Sequence, residues 1–334
     1  MIDRHYNYVI FGSSWDLYLH SYADIMSLDD VRYIPESVRS NMMKEHFLYH
    51  LHLGSINKHL RLPFKSIWNR LYFVDNFDNK KPLCFIFTSS WVLLNRFIGL
   101  SDYLKKKYRD SKTVCFLTDL VSTLRYPYTS ELFDVASEKK YYDLILSFDH
   151  GDCVKYGFLY HPLVYSSSSD SNNNVVESDV FFLGQAKNRF DDIIRIYEKL
   201  RNQGLRLDIN IVGVQKCNQK YEDEIHYLDS FMSYDDNLKH LLHSNCVLEI
   251  MQKGGSGFTQ RCVEAIGENK RLLTNNPQIR FAPFYNKKFI SIFTSADDLD
   301  MGFIKSIPDN DKVDYRYTDK LSPVELLDFV DSSL

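Results

Sequence analysis

Short apolar runs, each closing on a glycine or a polar turn, alternate with segments of helical period along this chain. The runs are "YVIFG" (Tyr8 to Gly12), "LCFIFTS" (Leu83 to Ser89), "TVCFLTD" (Thr113 to Asp119) and "YDLILSFD" (Tyr142 to Asp149). A strand of a parallel sheet reads this way because it is covered on both faces and has no polar side to alternate. Between the runs lie "SVRSNMMKEHFLYHLHL", "WVLLNRFIGLSDYLKKKYR" and "SELFDVASEKK", which read as helices. Strands alternating with helices predict a mostly parallel sheet with both faces covered.

The alternation stops at "YSSSSDSNNNVVESD", Tyr165 to Asp179, whose composition is that of a linker. It restarts at "VFFLGQ" (Val180 to Gln185). A helix follows, "NRFDDIIRIYEKLRNQ", with Phe190, Ile193, Ile194 and Tyr197 at helical spacing and Gly204 where a C-cap glycine belongs. Next come the strand "LDINIVG", a polar loop from Gln215 to about Tyr227, a helix around "SYDDNLKHLLHSN", and the strands "CVLEIM", "RLLTNN" and "KFISIF". In "LSPVELLDFVDSSL", Ser322 suits an N-cap, Pro323 the first helical position, and Glu325 a capping box. The predicted class is α/β, two Rossmann-like doubly wound domains facing a cleft. Residues 1–165 form the first and 166–179 the linker. Residues 180–310 form the second, and 311–334 a tail helix that packs back on the first. Ligands of such sheets bind at the carboxyl ends of the strands.

A length of 334 residues suits two domains. The net charge of -4 argues against a nucleic-acid binder that relies on phosphate contacts. Aromatic residues make up 15%, which serves either large cores or stacking platforms for sugars and bases. The six cysteines include no C-x-x-C pair, so no zinc or redox motif is signalled. Those in "PLCFIF", "TVCFL" and "SNCVLEI" read as buried thiols in a reducing compartment. The first residues carry no secretory pattern, and no stretch approaches the roughly eighteen apolar residues of a membrane span. The expected location is cytoplasmic, with peripheral contact at the inner face of the membrane.

One stretch concentrates ligand-binding chemistry: "QKGGSGFTQRCVEAIGENKRLLTNN", Gln252 to Asn276. It follows a strand, opens on glycines and enters a helix near Phe258. A helix N-terminus offers unpaired N–H groups and a positive dipole end, and glycine lets the backbone approach a phosphate. Ser256 and Thr259 add hydroxyls, and Arg261 brings a forked set of donors. Glu264, three residues on, could accept from a ribose diol. Diphosphate plus ribose is a nucleotide; the plainer alternative is a capped helix with a surface ion pair. The loop is neither a Walker A motif nor a complete G-x-G-x-x-G. A second candidate is "FLGQAKNRF", where Gly184, Lys187 and Arg189 follow the first strand of the second half and suit a diphosphate.

These segments, with "LDINIVG", "LLHSNCVLEIMQKGGSGFTQRCVEAI" and "KRLLTNN", resemble the nucleotide-sugar-binding domain of GT-B-fold glycosyltransferases. They are most similar to those of bacterial capsule and lipopolysaccharide clusters. The likeness spans Val180 to Asn276 and is weaker in the first half. It implies transfer of a sugar, UDP-linked, to a glycan or lipid-linked saccharide. Gly184, Lys187, Arg189, Ser256, Gly257 and Thr259 would then hold diphosphate and sugar, and Glu264 the ribose. No cofactor and no metal are implied beyond that co-substrate. The chain departs from the E-x7-E pair of many retaining members: Glu264 fits the second glutamate, but Ser256 stands at the first. Glu249 lies in the strand and is not counted. Retention or inversion is therefore open. So are two other readings, a non-catalytic GT-B-like binding subunit and a sugar-nucleotide epimerase of the same fold.

Inverting transfer needs a general base. Asp119, at the end of "VCFLT", is the first candidate for that catalytic role. Gly12 and Ser13 could line the acceptor or diphosphate side with His161, and Asp149 and His150 are further candidates. Each also has a purely structural reading. Asp309-Asn310-Asp311 imitates a D-x-D motif but lies in a polar loop. Lys105, Lys106, Lys107 and Arg109, among tyrosines, suggest a membrane surface or the solvated end of a helix.

Overall fold

A computed structural model describes residues 4–35, 51, 63–64, 69–70, 80–126, 131–168, 177–252, 255–306 and 313–334. The chain divides into two compact units, Met1–Pro162 with Pro323–Leu334, and Leu163–Ser322. Most of the stretch read as a linker, 169–176, and most of "SVRSNMMKEHFLYHLHL" lie outside the described residues.

Among the described residues, the first unit carries a six-stranded parallel sheet in the order β2-β1-β3-β4-β5-β6. The strands are β1 (Asn7–Gly12), β2 (Val31–Pro35), β3 (Leu83–Thr88), β4 (Lys112–Leu117), β5 (Leu144–Ser147) and β6 (Leu159–Tyr160). Every residue of β3 is buried, as in a strand covered on both faces. The helices are α1 (Asp16–Ser21), α2 (Ser89–Ile98), α3 (Leu100–Lys107), α4 (Val135–Glu138) and α5 (His150–Tyr156). The sequence reading made one helix of α2 and α3. Gly99 separates them at φ 59°, a left-handed conformation that glycine takes without strain. It likewise made one helix of "SELFDVASEKK", of which only α4 and a short 3-10 turn form.

In the second unit the strands are β7 (Ser178–Gln185), β8 (Leu207–Val212), β9 (His226–Leu228), β10 (Ser244–Glu249), β11 (Arg271–Thr274) and β12 (Ile290–Ile292). They too form a parallel sheet among the described residues, ordered β12-β11-β10-β7-β8-β9. Strand β9 was read as polar loop; three residues pairing with Asn210–Val212 suffice to extend the sheet edge. The helices are α6 (Phe190–Arg201), α7 (Tyr234–Leu242), α8 (Gln260–Gly267), α9 (Met301–Lys305) and α10 (Thr318–Leu321). Residues Ile193, Ile194, Ile196, Tyr197 and Leu200 give α6 the apolar stripe that its sequence promised. The fold class is thus the one read from the sequence: two doubly wound α/β units.

Helix α11 (Pro323–Ser333) belongs to the first unit. Its Asp328 accepts from Arg4 Nε at 2.7 Å, and its Asp331 from the Tyr8 hydroxyl at 2.7 Å.

Candidate functional site

In the second unit the chain runs outward from β7 to β9, returns to β10 beside β7, and runs outward again to β12. The direction reverses between β7 and β10, and open α/β sheets bind ligands at the carboxyl ends of strands at such a switch point. The two loops that leave there are the two that the sequence singled out.

Arg189 ties the strand ends together. Its Nε donates to the Gln185 carbonyl at 3.1 Å, closing β7, and its Nη1 donates to the Ile250 carbonyl beyond β10. Burial pulls its guanidinium below the ordinary arginine range, and the nearby Glu249 opposes that. Gly184 makes room for it: a Cβ there would stand 2.9 Å from Arg189 Nη2 and 2.9 Å from the Phe182 ring. Lys187 is exposed and holds φ 41°, a left-handed backbone uncommon for a residue with a side chain. Its ammonium reaches across the same edge and donates to Gln252 Oε1 at 3.3 Å.

The glycine loop is pinned from β11. Asn275 Oδ1 accepts from the Met251 N–H at 2.6 Å, and Asn276 Nδ2 donates to the Gly257 carbonyl at 3.1 Å. Gly257 is buried and Ser256 partly so, while Gly254 lies outside the described residues. Thr259 caps α8, accepting from the Cys262 N–H at 3.4 Å, and its hydroxyl donates to Glu249. Thr259 was expected to face a ligand; its hydroxyl is instead committed to the fold. The other Glu249 oxygen accepts from the Thr274 hydroxyl. Glu249 is 2% exposed, and burial raises its carboxyl above the usual range against the pull of both threonines and Arg189.

Arg261 and Glu264 are turned to each other rather than to a ligand. Arg261 Nη1 lies 2.6 Å from Glu264 Oε2 and 3.1 Å from Asn237 Oδ1, and Nη2 donates to the Leu183 carbonyl at 3.3 Å. The guanidinium also covers the Phe181 ring at 5.2 Å. Glu264 is 2% exposed, and burial raises its carboxyl with Arg261 opposing. The pair fastens α8 to β7 and α7. At the end of α8, Gly267 admits the Tyr165 ring, which would stand 2.3 Å from a Cβ there. The Tyr165 hydroxyl donates to Glu268 at 2.7 Å.

In the first unit the strand-end residues are taken up internally. A Cβ on Gly12 would meet the Tyr33 hydroxyl at 2.1 Å. The Gly12 carbonyl accepts from Trp91 Nε1 at 2.9 Å, and the Ser13 carbonyl from the Tyr33 hydroxyl at 2.8 Å. His161, expected on the acceptor side, is instead a core residue between the Phe116 and Phe329 rings, with Nδ1 2.7 Å from the Pro162 carbonyl. Burial lowers its pKa to about 4, so the ring is neutral. Asp149 caps α5 through the Asp152 N–H, and His150 stacks on Tyr160 at 3.7 Å. Asp119 is exposed in the turn after β4. Lys105 pairs with Asp143 at 3.0 Å, whereas Lys106, Lys107 and Arg109 are exposed. Cysteines 84, 115 and 246 are buried as read; Cys217 is exposed. Asp309 to Asp311 lie outside the described residues.

The sequence reading passed over Glu249, Thr274, Asn275, Asn276 and Asn237. One signal was present: the polar triplet Thr274-Asn275-Asn276 directly follows an apolar strand at its carboxyl end.

Among the described residues, no helix is long and apolar enough to cross a membrane. No family model matches the chain, and no curated protein sequence matches it. Solved structures resemble it at a distance. A trehalose-6-phosphate synthase aligns at 10% identity and a TM-score of 0.49, over 97% of this chain and 96% of its own. An alpha-glucosyltransferase in complex with UDP and a 13-mer DNA aligns at 10% identity and 0.48, over 97% and 90%. A protein described as a UDP-N-acetylglucosamine 2-epimerase, from Listeria monocytogenes, aligns at 9% identity and 0.47, over 98% and 90%. These are likenesses of chain trace alone.

Proposed function

We propose that the chain is a GT-B-type glycosyltransferase that moves a sugar from a nucleotide donor, UDP-linked, to a saccharide acceptor in bacterial surface polysaccharide synthesis. The acceptor is a glycan or a lipid-linked saccharide, and the reaction takes place on the cytoplasmic side of the membrane. The observation that supports this most is the switch point of the second sheet, where the loops after β7 and β10 converge. There an exposed lysine, a glycine-bounded loop and the start of α8 share one edge, which suits a diphosphate.

In this reading Lys187, Ser256, Gly257 and the first N–H groups of α8 receive the diphosphate. Arg189 sits behind them as fixed positive charge. The bond from the sugar's anomeric carbon to the diphosphate breaks, and the pair of electrons leaves on phosphate oxygen. Lys187 and the α8 dipole stabilise that charge. The acceptor hydroxyl forms the new bond and gives its proton to a general base. A second reading, a non-catalytic subunit, draws on the burial of Glu264, the residue that the resemblance assigns to ribose.

A thermal-shift series with UDP, GDP, CDP, ADP and CMP tests the donor site, with Lys187→Ala as the control because Lys187 is exposed. One diphosphate should raise the melting temperature; at a hundred times its Kd the gain is about 2.7 kcal/mol. The Lys187→Ala protein should need more ligand for the same shift. If no nucleotide shifts the wild type, the reading is wrong. If the donor turns over without any acceptor, the epimerase reading replaces it.

A further inference from the structure

Glu249 ends β10 beside the switch point, and both of its carboxylate oxygens are engaged by threonine hydroxyls from different elements. Thr259 comes from the cap of α8, and Thr274 from the end of β11. Each hydroxyl also accepts a backbone N–H, Thr259 from Cys262 at 3.4 Å and Thr274 from Asn276 at 3.0 Å. That leaves the hydroxyl proton for Glu249, so the glutamate accepts on both sides. Asn276 closes the circuit through its side chain, 3.1 Å from the Gly257 carbonyl. The start of α8 and the end of the glycine loop are thereby fixed to two neighbouring strands through one buried carboxylate. An isolated carboxylate in this place would be costly to bury. Thr259 and Thr274 offset that cost with hydrogen bonds, and Arg189 supplies a nearby positive charge.

We infer that Glu249 is the positioning residue of the diphosphate site: it sets the angle at which Gly257 and the first N–H groups of α8 meet the phosphates, without touching the ligand itself. The inference rests on the donor site proposed above. A glutamine there keeps the size but can accept from only one threonine; its NH2 faces the other hydroxyl as a second donor.

The test compares Glu249→Gln and Thr274→Val with the wild type by calorimetric titration of UDP and of uridine, alongside amide hydrogen exchange. Glu249→Gln should weaken UDP by about tenfold, the equivalent of one or two ordinary hydrogen bonds, and leave uridine binding unchanged. Thr274→Val should show a smaller loss of the same kind. Exchange should quicken in residues 255–262 and not across the sheet. Equal weakening of UDP and uridine, or faster exchange throughout the second unit, would overturn the positioning role and leave Glu249 a plain stabiliser. Should the wild type bind neither ligand, the donor site fails. The exchange pattern then decides the clamp alone, and unchanged protection at 255–262 would refute it.

Discussion

The carboxyl edges of the two sheets use the same topology to opposite ends. In the first unit, neutral aromatic donors close the edge: Trp91 takes the Gly12 carbonyl, Tyr33 the Ser13 carbonyl, and the Tyr33 ring fills the space over Gly12. In the second unit, charged groups hold it: Arg189 and Arg261 clamp the Gln185, Ile250 and Leu183 carbonyls, and Glu249 binds two threonines. Lys187 remains exposed above them. A strand-end glycine is therefore no ligand signal by itself. Gly12 admits a tyrosine and Gly184 admits an arginine, and the exposed charge near the first edge is the acidic Asp119 whereas that near the second is the basic Lys187.

Four measurements would break or sharpen this contrast. The largest effect is expected from Arg261→Met, which leaves the Glu264 charge buried without its partner. Unfolding in urea should show a loss of about 3–5 kcal/mol in the second unit. A near-silent substitution would mean that the clamp is not electrostatic.

The next effect concerns the first unit and pH. His161 titrates near 4 when folded, against 6.5 for an ordinary histidine. A depressed folded pKa means that its contribution is complete above about pH 6.5 and is lost as pH falls toward 4, because the unfolded chain takes up the proton first. The full loss is about 3 kcal/mol at 1.36 kcal/mol per unit. Stability measured from pH 7 to pH 4 should fall less steeply in His161→Phe. An identical slope in the variant would assign the pH dependence to other groups.

Trp91→Phe removes the donor to the Gly12 carbonyl in a buried place. It should cost about 1–2 kcal/mol, the penalty for an unsatisfied acceptor. No change would show that the edge of the first unit is closed by packing alone. The smallest effect is expected at Lys187→Ala, within about 0.5 kcal/mol of wild type, as for an exposed residue with one weak hydrogen bond. A larger loss would make Lys187 part of the clamp and remove it from the candidate surface.

The sheets were legible because strands buried on both faces read as near-continuous apolar runs, as in "LCFIF" and "VFFL". The helix α6 was legible from its stripe. Breaks set by one residue's backbone were not: Gly99 looks like any helical glycine until its φ is known. At the site, the sequence named the loops and misjudged where side chains point. The i, i+3 spacing of Arg261 and Glu264 is the same whether they lie on the surface or under α7, and only tertiary packing decides that. Glu249 was set aside for being in a strand, yet a strand's last residue reaches the edge. Its partners Thr259 and Thr274 are 10 and 25 residues away, beyond any local pattern.

The pairing of Arg4 with Asp328 joins residues 324 apart, and the whole second unit lies between them in the chain. Residues 163–322 leave the ribosome ahead of α11, so the order expected of tandem domains, first made and first finished, is inverted for the final step. Released chains that stop at residue 322 should hold a protease-resistant second unit and a first unit still open at Arg4 and Tyr8. A chaperone that waits on this protein would find its longest-lived target at the beginning of the chain.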